Sequence, residues 1–315
     1  MLARVANNLF WMGRYIERSE HVARYLNVNY FSSLDAPNEL SQSRQLVLRS
    51  MLFMAGGEEI EEDEILEEEK VLYDVGLNPE IQFSIINCIK YARENANSAR
   101  DLISTELYES INKFYHFVLN YDVQLFTKKG LYDFTVHVTE AMAVLRGKIR
   151  ATLLHDEVYA IIMLGVNLER ANQIVRIIHS KNRDALHAQG SYGDTYKNSY
   201  EWTTLLKCAE SYDMMRRFYK KTPNSERTLE FLILNAQCPR SVMNSLNQVS
   251  SHIKVLNTEE LPLKDSAAFL IGKVRAQYQY KLIEEIDEEI DSFIEHILDT
   301  VVLIAKKIEK EYFNY

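Results

Sequence analysis

The sequence predicts an all-α protein, a large helical bundle with no sheet, built around an internally duplicated Glu-Arg helix. Three observations predict it. Glycine and proline are scarce, 10 and 5 in 315 residues, too few for the turns of an all-β chain. Apolar residues recur three and four positions apart through most of the chain, and no segment keeps the period of two of a half-buried strand. One helical segment occurs twice: MGRYIERSEHVAR from Met12 to Arg24 and LGVNLERANQIVR from Leu164 to Arg176. Gly13/Gly165, Glu17/Glu169, Arg18/Arg170 and Arg24/Arg176 share one offset of 152 residues.

The first helix is read over Leu2–Val28. Leu2, Val5, Leu9, Met12, Ile16, Ser19, Ala23 and Leu26 form its core stripe, and the row Ala6, Phe10, Gly13, Glu17, Glu20, Arg24 turns charged at the stripe's edge. A second helix covers Ser41–Met54 and stops at Gly56-Gly57. Asn78-Pro79 opens a third segment, since proline suits a first turn. Glu80–Leu125 reads as two helices, and Gly130 breaks the pattern. Tyr132–Leu154 follows, with His155-Asp156-Glu157 as a helix-start cluster. Val158–Lys181 carries the second motif on the stripe Ile161, Leu164, Leu168, Ala171, Val175, Ile178. Arg183–Asn198 reads as the longest polar loop. Further helices are expected at Tyr200–Tyr219, Ser225–Asn235, Arg240–Leu256, Lys264–Tyr280 and Leu282–Glu311. This is one domain over 1–315, with pseudo-repeat halves of about 1–153 and 154–315.

The net charge is −9, but it is local. The run from Glu58 to Glu69 holds nine carboxylates, and the remainder of the chain is neutral. We read residues 57–70 as an acidic surface insertion. Nothing resembles a basic nucleic-acid surface, and no run of 18 apolar residues suggests a membrane span. The N-terminus reads as a folded helix and not as a signal peptide. Cys88, Cys208 and Cys238 share no metal-ligand spacing. Both features lead us to expect a cytoplasmic protein.

Recognisable enzyme motifs are absent: no phosphate loop, dinucleotide fingerprint, His-Glu-x-x-His or nucleophile elbow occurs. A ferritin-like iron site needs Glu-x-x-His, whereas Glu20 follows Glu17 and Asn172 follows Glu169 at that spacing. We therefore expect neither metal nor cofactor.

Adjacent helical residues point about 100° apart, so Glu17 and Arg18 cannot pair with each other, nor can Glu169 and Arg170. Within a helix Arg14 can reach Glu17, and Glu169 can reach Asn172 or Gln173. Across helices, Glu17 can meet Arg170 while Glu169 meets Arg18 if the two helices pack antiparallel. That arrangement is either an ion-pair network fixing helix register or a shared polar pocket for a carboxylate, phosphate or peptide. Arg93-Glu94 forms a weaker related fragment. Arg240, after Cys238-Pro239, stands at a new helix N-terminus that can receive an anion or simply turn the chain. The binding candidates are thus Arg14, Glu17, Arg18, Arg93, Glu94, Glu169, Arg170, Asn172 and Arg240, and no residue is assigned as catalytic.

Taken together, MLARVANNLFWMGRYIER at 1–18, the Asn78-Pro79 segment with Ala92–Ala96, Leu168–Asn172 and Cys238–Val242 resemble the bacterial alpha-E family, a helical family named for its Glu-Arg motif. Glu20 and His21 depart from the asparagine expected after the first motif, and the acidic run looks like an elaboration of this chain. The resemblance implies a genomic partnership with an ATP-grasp-type amide ligase and a transglutaminase-like protein, in a system that makes or modifies peptides, and the leading expectation is a non-catalytic helical subunit that binds the ligase or its peptide substrate. The resemblance assigns no catalytic role. The alternatives are an enzyme of the same pathway using Glu17 or Glu169 as general base, and a purely structural bundle.

Overall fold

The computed structural model describes residues 2–35, 44–57, 64–188, 194–257, 262–287 and 290–313, with backbone alone at 34, 35, 183–188, 194–199 and 287. Among the described residues all regular structure is helical and no strand occurs. In chain order the helices are α1 (Ala3–Asp35), α2 (Arg44–Ala55), α3 (Glu68–Gly76), α4 (Ile85–Ser98), α5 (Thr105–Leu119), the single turn α6 (Val123–Leu125), α7 (Leu131–Thr152) and α8 (Glu157–Ala188). They continue with α9 (Asp194–Cys208), α10 (Tyr212–Tyr219), α11 (Ser225–Leu229), α12 (Val242–Leu256), α13 (Ala267–Gln279), α14 (Glu284–Asp287) and α15 (Ile290–Ile308).

Helix α1 is 33 residues long, roughly 50 Å at the helical rise, and it forms the axis of the bundle. Helices α8, α4, α7, α2 and α9 all pack on it. Packed on so many sides, the helix leaves only Arg4 exposed among its described side chains. The row Ala6, Phe10, Glu17, Glu20, Arg24, read as the edge of the stripe, is therefore itself buried. The buried apolar side chains of both halves form one continuous cluster.

The two motif helices run parallel, not antiparallel. Gly13 faces Ile162 and Val166, Gly165 faces Phe10 and Arg14, Arg18 meets Glu169, and Tyr25 Oη lies 2.7 Å from Ser180 Oγ. Numbers rise together along both helices. In an antiparallel pair the Gly–Gly and Glu–Arg levels cannot both match, because matching one moves the other to opposite ends. A parallel pair related by a pseudo-twofold axis satisfies every level with one offset.

Most boundaries follow capping chemistry. The side chains of Ser84, Ser104, Asn224, Ser241 and Ser266 accept the capping N–H of α4, α5, α11, α12 and α13. Asp156 accepts from Val158 N at 2.9 Å and starts α8, as the sequence suggested. Asn78-Pro79 does not open a helix: Asn78 Oδ1 accepts from Glu80 N at 3.0 Å in a local turn, and α4 waits for Ser84. Gly130 does not break the chain either. A wide helical turn, Phe126–Gly130, carries α6 into α7, held by Tyr121 Oη donating to Gly130 O at 3.2 Å. The expected loop Arg183–Asn198 is mostly helix, since α8 reaches Ala188 and α9 begins at Asp194. The segment Tyr200–Tyr219 divides between α9 and α10, and Leu282–Glu311 divides between α14 and α15.

Of the acidic run, residues 58–63 lie outside the described residues. Its second part is attached to the fold. Gln45 donates to Leu66 O at 2.9 Å and accepts from Leu66 N at 2.7 Å, while Glu68, in α3, accepts from Arg44 at 2.7 Å and Tyr30 at 2.9 Å. Ile65 is exposed. Residues 64–70 thus keep a largely exposed surface while Leu66 and Glu68 tie the segment to α1 and α2.

A candidate functional site: two buried glutamates exchanged between parallel helices

The site is made where α1 and α8 cross. Gly13 and Gly165 put no Cβ between the backbones, so the helices come close enough for the residues one turn later to reach across. Arg18 donates from Nε to Glu169 Oε1 at 2.6 Å and from Nη2 to Oε2 at 3.0 Å. Arg170 does the same to Glu17, at 2.6 and 3.0 Å. Each guanidinium grips its carboxylate in the bidentate geometry that suits a planar fork. The reciprocal exchange inferred from the repeat is present.

Both carboxylates are buried, Glu17 1% and Glu169 0% exposed. Moving such an ion out of water costs several kcal/mol unless it is paired and hydrogen-bonded. Each gains further donors. Arg14 donates to Glu169 Oε2 at 2.9 Å, so it crosses to α8 and does not pair with Glu17. Gln173 donates to Glu169 at 2.8 Å, the role open to either Asn172 or Gln173. His21 lies 3.2 Å from Glu17. His21 and Gln173 occupy equivalent positions of the repeat, four residues after each glutamate, and do equivalent work.

Protonation follows from these contacts. Burial alone would raise Glu17, but Arg170, His21 and Arg240 hold it well below the usual carboxylate range. Burial likewise opposes ionisation of Glu169, and Arg18 and Arg14 outweigh it, holding it low. Burial pushes the His21 imidazole down to about 4 against the pull of Glu17. At neutral pH His21 is therefore uncharged and donates its Nε2 proton to Glu17.

Beyond this exchange the halves diverge. Glu20 stands where the second copy has Asn172, and it is fully buried. It accepts from Arg24, from Arg146 of α7 and, at 3.0 Å, from Arg240. Arg240 also reaches Glu17 Oε1 at 3.4 Å and bonds Glu210, whose carboxylate lies 3.0 Å from Arg24. Arg176, the repeat partner of Arg24, instead donates to the carbonyls of Met54, at 3.2 Å, and Phe53. In sum Arg14, Arg18, Arg24, Arg146, Arg170 and Arg240 face Glu17, Glu20, Glu169 and Glu210, six guanidiniums to four carboxylates.

The structure thus brings Arg14, Glu17, Arg18, Glu169, Arg170 and Arg240 together and leaves three candidates out. Arg93 donates to Asn112 at 2.7 Å and lies over Tyr115. Glu94 is exposed, and Asn172 is half-buried beside the network without a bond to Glu169. Ser241 caps α12, and Arg240 turns away from that N-terminus to Glu17, Glu20 and Glu210. Sequence reasoning missed Glu20, His21, Arg24, Arg146 and Glu210 as members. The pair Glu20/Arg24, four apart on one helix, was a usable signal. Arg146 and Glu210 carried none, since they come from α7 and from the turn after α9. An open cavity of about 640 Å³ lies at the N-terminal ends of α1 and α8, lined by Leu2, Val5, Leu102 and Val158 with Asp101 and Glu157, and no Glu-Arg motif residue reaches it. Among the described residues no group of His, Cys, Asp and Glu is placed to hold a metal ion, and no helix is long and apolar enough to cross a membrane.

No curated protein and no solved structure matches the chain. One family model does, over residues 1–313: Alpha-E, described as a predicted alpha-helical domain with a conserved ER motif. Glu17-Arg18 and Glu169-Arg170, which exchange salt bridges between α1 and α8, are dipeptides of that kind, and the chain belongs to the Alpha-E family.

Proposed function

We propose that the protein is a non-catalytic helical binding subunit that works with an ATP-grasp-type amide ligase, and with a transglutaminase-like protein, in the synthesis or modification of a peptide. The observation that carries this reading against a catalytic one is the closure of the motif. A general base needs a lone pair within reach of substrate and a pKa near the working pH. Glu17 and Glu169 are buried, gripped bidentately and held low in pKa, which suits a lock between helices and not proton transfer. The ligase and the peptide come from the family resemblance. The guanidinium excess in an acidic chain favours binding of a carboxylate-bearing partner over a purely structural bundle.

The test is co-purification of the tagged chain with an ATP-grasp amide ligase from the same source, with and without that ligase's peptide substrate. A stoichiometric complex that peptide strengthens is expected. Absence of any complex, with ligase turnover unchanged by this chain, would refute the reading. Full pathway activity in well-folded Glu17→Gln and Glu169→Gln proteins is also expected, and loss of turnover with the complex intact would instead favour the enzyme.

A further inference from the structure

We propose that Arg24, Arg146 and Arg240 form a carboxylate-binding site which Glu210 closes from within, as an internal stand-in for a carboxylate-bearing ligand. The proposal rests on the binding-subunit reading only for where such a ligand comes from; the site itself is argued from its geometry.

Three observations carry it. The first is the backbone of Glu210. Helix α9 ends in a left-handed cap: Ser211 N donates to Leu206 O at 2.8 Å and Glu210 N to Lys207 O at 3.0 Å. Glu210 occupies the position with positive φ, 53°, where glycine is the favoured residue. A glutamate there is strained, so its side chain stands against the local backbone preference. The second is exposure. Glu17 and Glu20 are enclosed, whereas the Glu210 side chain is 52% exposed. It is the one carboxylate of this group that solvent reaches and that can swing away without opening the core. The third is unspent donor capacity. Arg24 is 8% exposed, and its Nη1 is buried without a hydrogen-bond partner. Around Glu17, Glu20 and Glu210 stand Arg24, Arg146, Arg170 and Arg240, so the group keeps a positive charge even with Glu210 seated. Burial lowers the Arg24 guanidinium to about 10 and also lowers that of Arg146, as expected for cations short of counter-charge. If Glu210 leaves, Arg24 and Arg240 present a fork to solvent beside Arg146, whose side chain is 28% exposed. A carboxylate already fills the place, so the ligand class is a carboxylate, as at a peptide C-terminus or an acidic side chain, and not a phosphate.

The experiment compares wild type with Glu210→Gln, which removes the internal carboxylate, and Glu210→Gly, which also relieves the backbone. The probe is L-glutamate, with sodium chloride and inorganic phosphate at matched ionic strength as controls. Binding is read by calorimetry and by the shift in thermal midpoint. We expect both variants to bind glutamate at least tenfold more tightly than wild type, and the gain to vanish when Arg146→Gln is added. Equal response to glutamate and chloride in wild type and both variants, with all proteins folded, would overturn the site and leave Glu210 as an ion-pair partner alone. Tighter binding of phosphate than of glutamate would overturn the ligand class. Neither outcome involves the ligase, so failure here is distinct from failure of the complex.

Discussion

Replacing Gly165 or Gly13 by alanine tests the crossing on which the whole site depends. A Cβ added at Gly165 would lie 2.1 Å from Phe10 O, and one at Gly13 would lie 2.4 Å from Ile162 O. Both obstacles are helix carbonyls, which cannot rotate aside. To restore ordinary contact the helices must separate by roughly 1 Å. Such a shift carries the 2.6 Å bonds of Arg18 to Glu169 and Arg170 to Glu17 beyond the hydrogen-bond limit of about 3.2 Å. Overpacking alone costs about 1–3 kcal/mol, and loosening a buried ion pair adds to it, since losing one partner costs about 3–5 kcal/mol. We expect each alanine to destabilise by about 3–5 kcal/mol, and the double mutant by less than the sum, because one separation relieves both clashes. The sign is diagnostic. Glycine to alanine inside a helix otherwise stabilises by about 1 kcal/mol. Gly147 of α7, whose Cβ would meet nothing within 4 Å, is the internal control that should show that gain. The assay is urea denaturation followed by circular dichroism. If Gly165→Ala is as stable as wild type while Gly147→Ala is stabilised, the helices do not meet through these glycines.

Arg18→Lys and Arg170→Lys keep the charge but lose the fork, so each should lower the melting midpoint; unchanged midpoints would show that the bidentate grip contributes nothing to stability. Acid sensitivity should begin near pH 6.5. The unfolded chain protonates His21 there, the folded chain only near pH 4, so stability falls with pH across that window by about 1.4 kcal/mol per unit. The carboxylates Glu17 and Glu169, held low, add loss of the same sign below about pH 4.5. His21→Gln, which keeps a neutral donor to Glu17, should flatten the upper part of the profile; a profile identical to wild type would refute the assignment. His252 is also lowered by burial and leaves a residual slope in both proteins. Ser241→Ala removes the buried cap of α12, whose hydroxyl accepts from Asn244 N at 2.9 Å. It should cost about 1 kcal/mol in chemical denaturation, and a change below a few tenths would show that water replaces the cap.

The helical class, two matching motif helices and the need of Glu17 and Glu169 for partners other than the adjacent arginine were legible in the sequence, which left the exchange between the helices as one option tied to antiparallel packing. Those follow from period, repeat offset and the 100° step between neighbours, which are local properties of a helix. Helix starts with a serine or aspartate cap were equally legible once the cap, and not a nearby proline, was taken as the signal, as Ser84 after Pro79 shows. Tertiary structure alone decided that α1 and α8 run parallel, that the charged row of α1 is enclosed, and that Arg14 serves Glu169. It alone also brought Arg146 and Glu210 to Glu20 and Arg240. Periodicity states which face of a helix is covered but not which element covers it. A buried carboxylate takes its counter-charge from whichever guanidinium the fold delivers, however far away in the chain that residue lies.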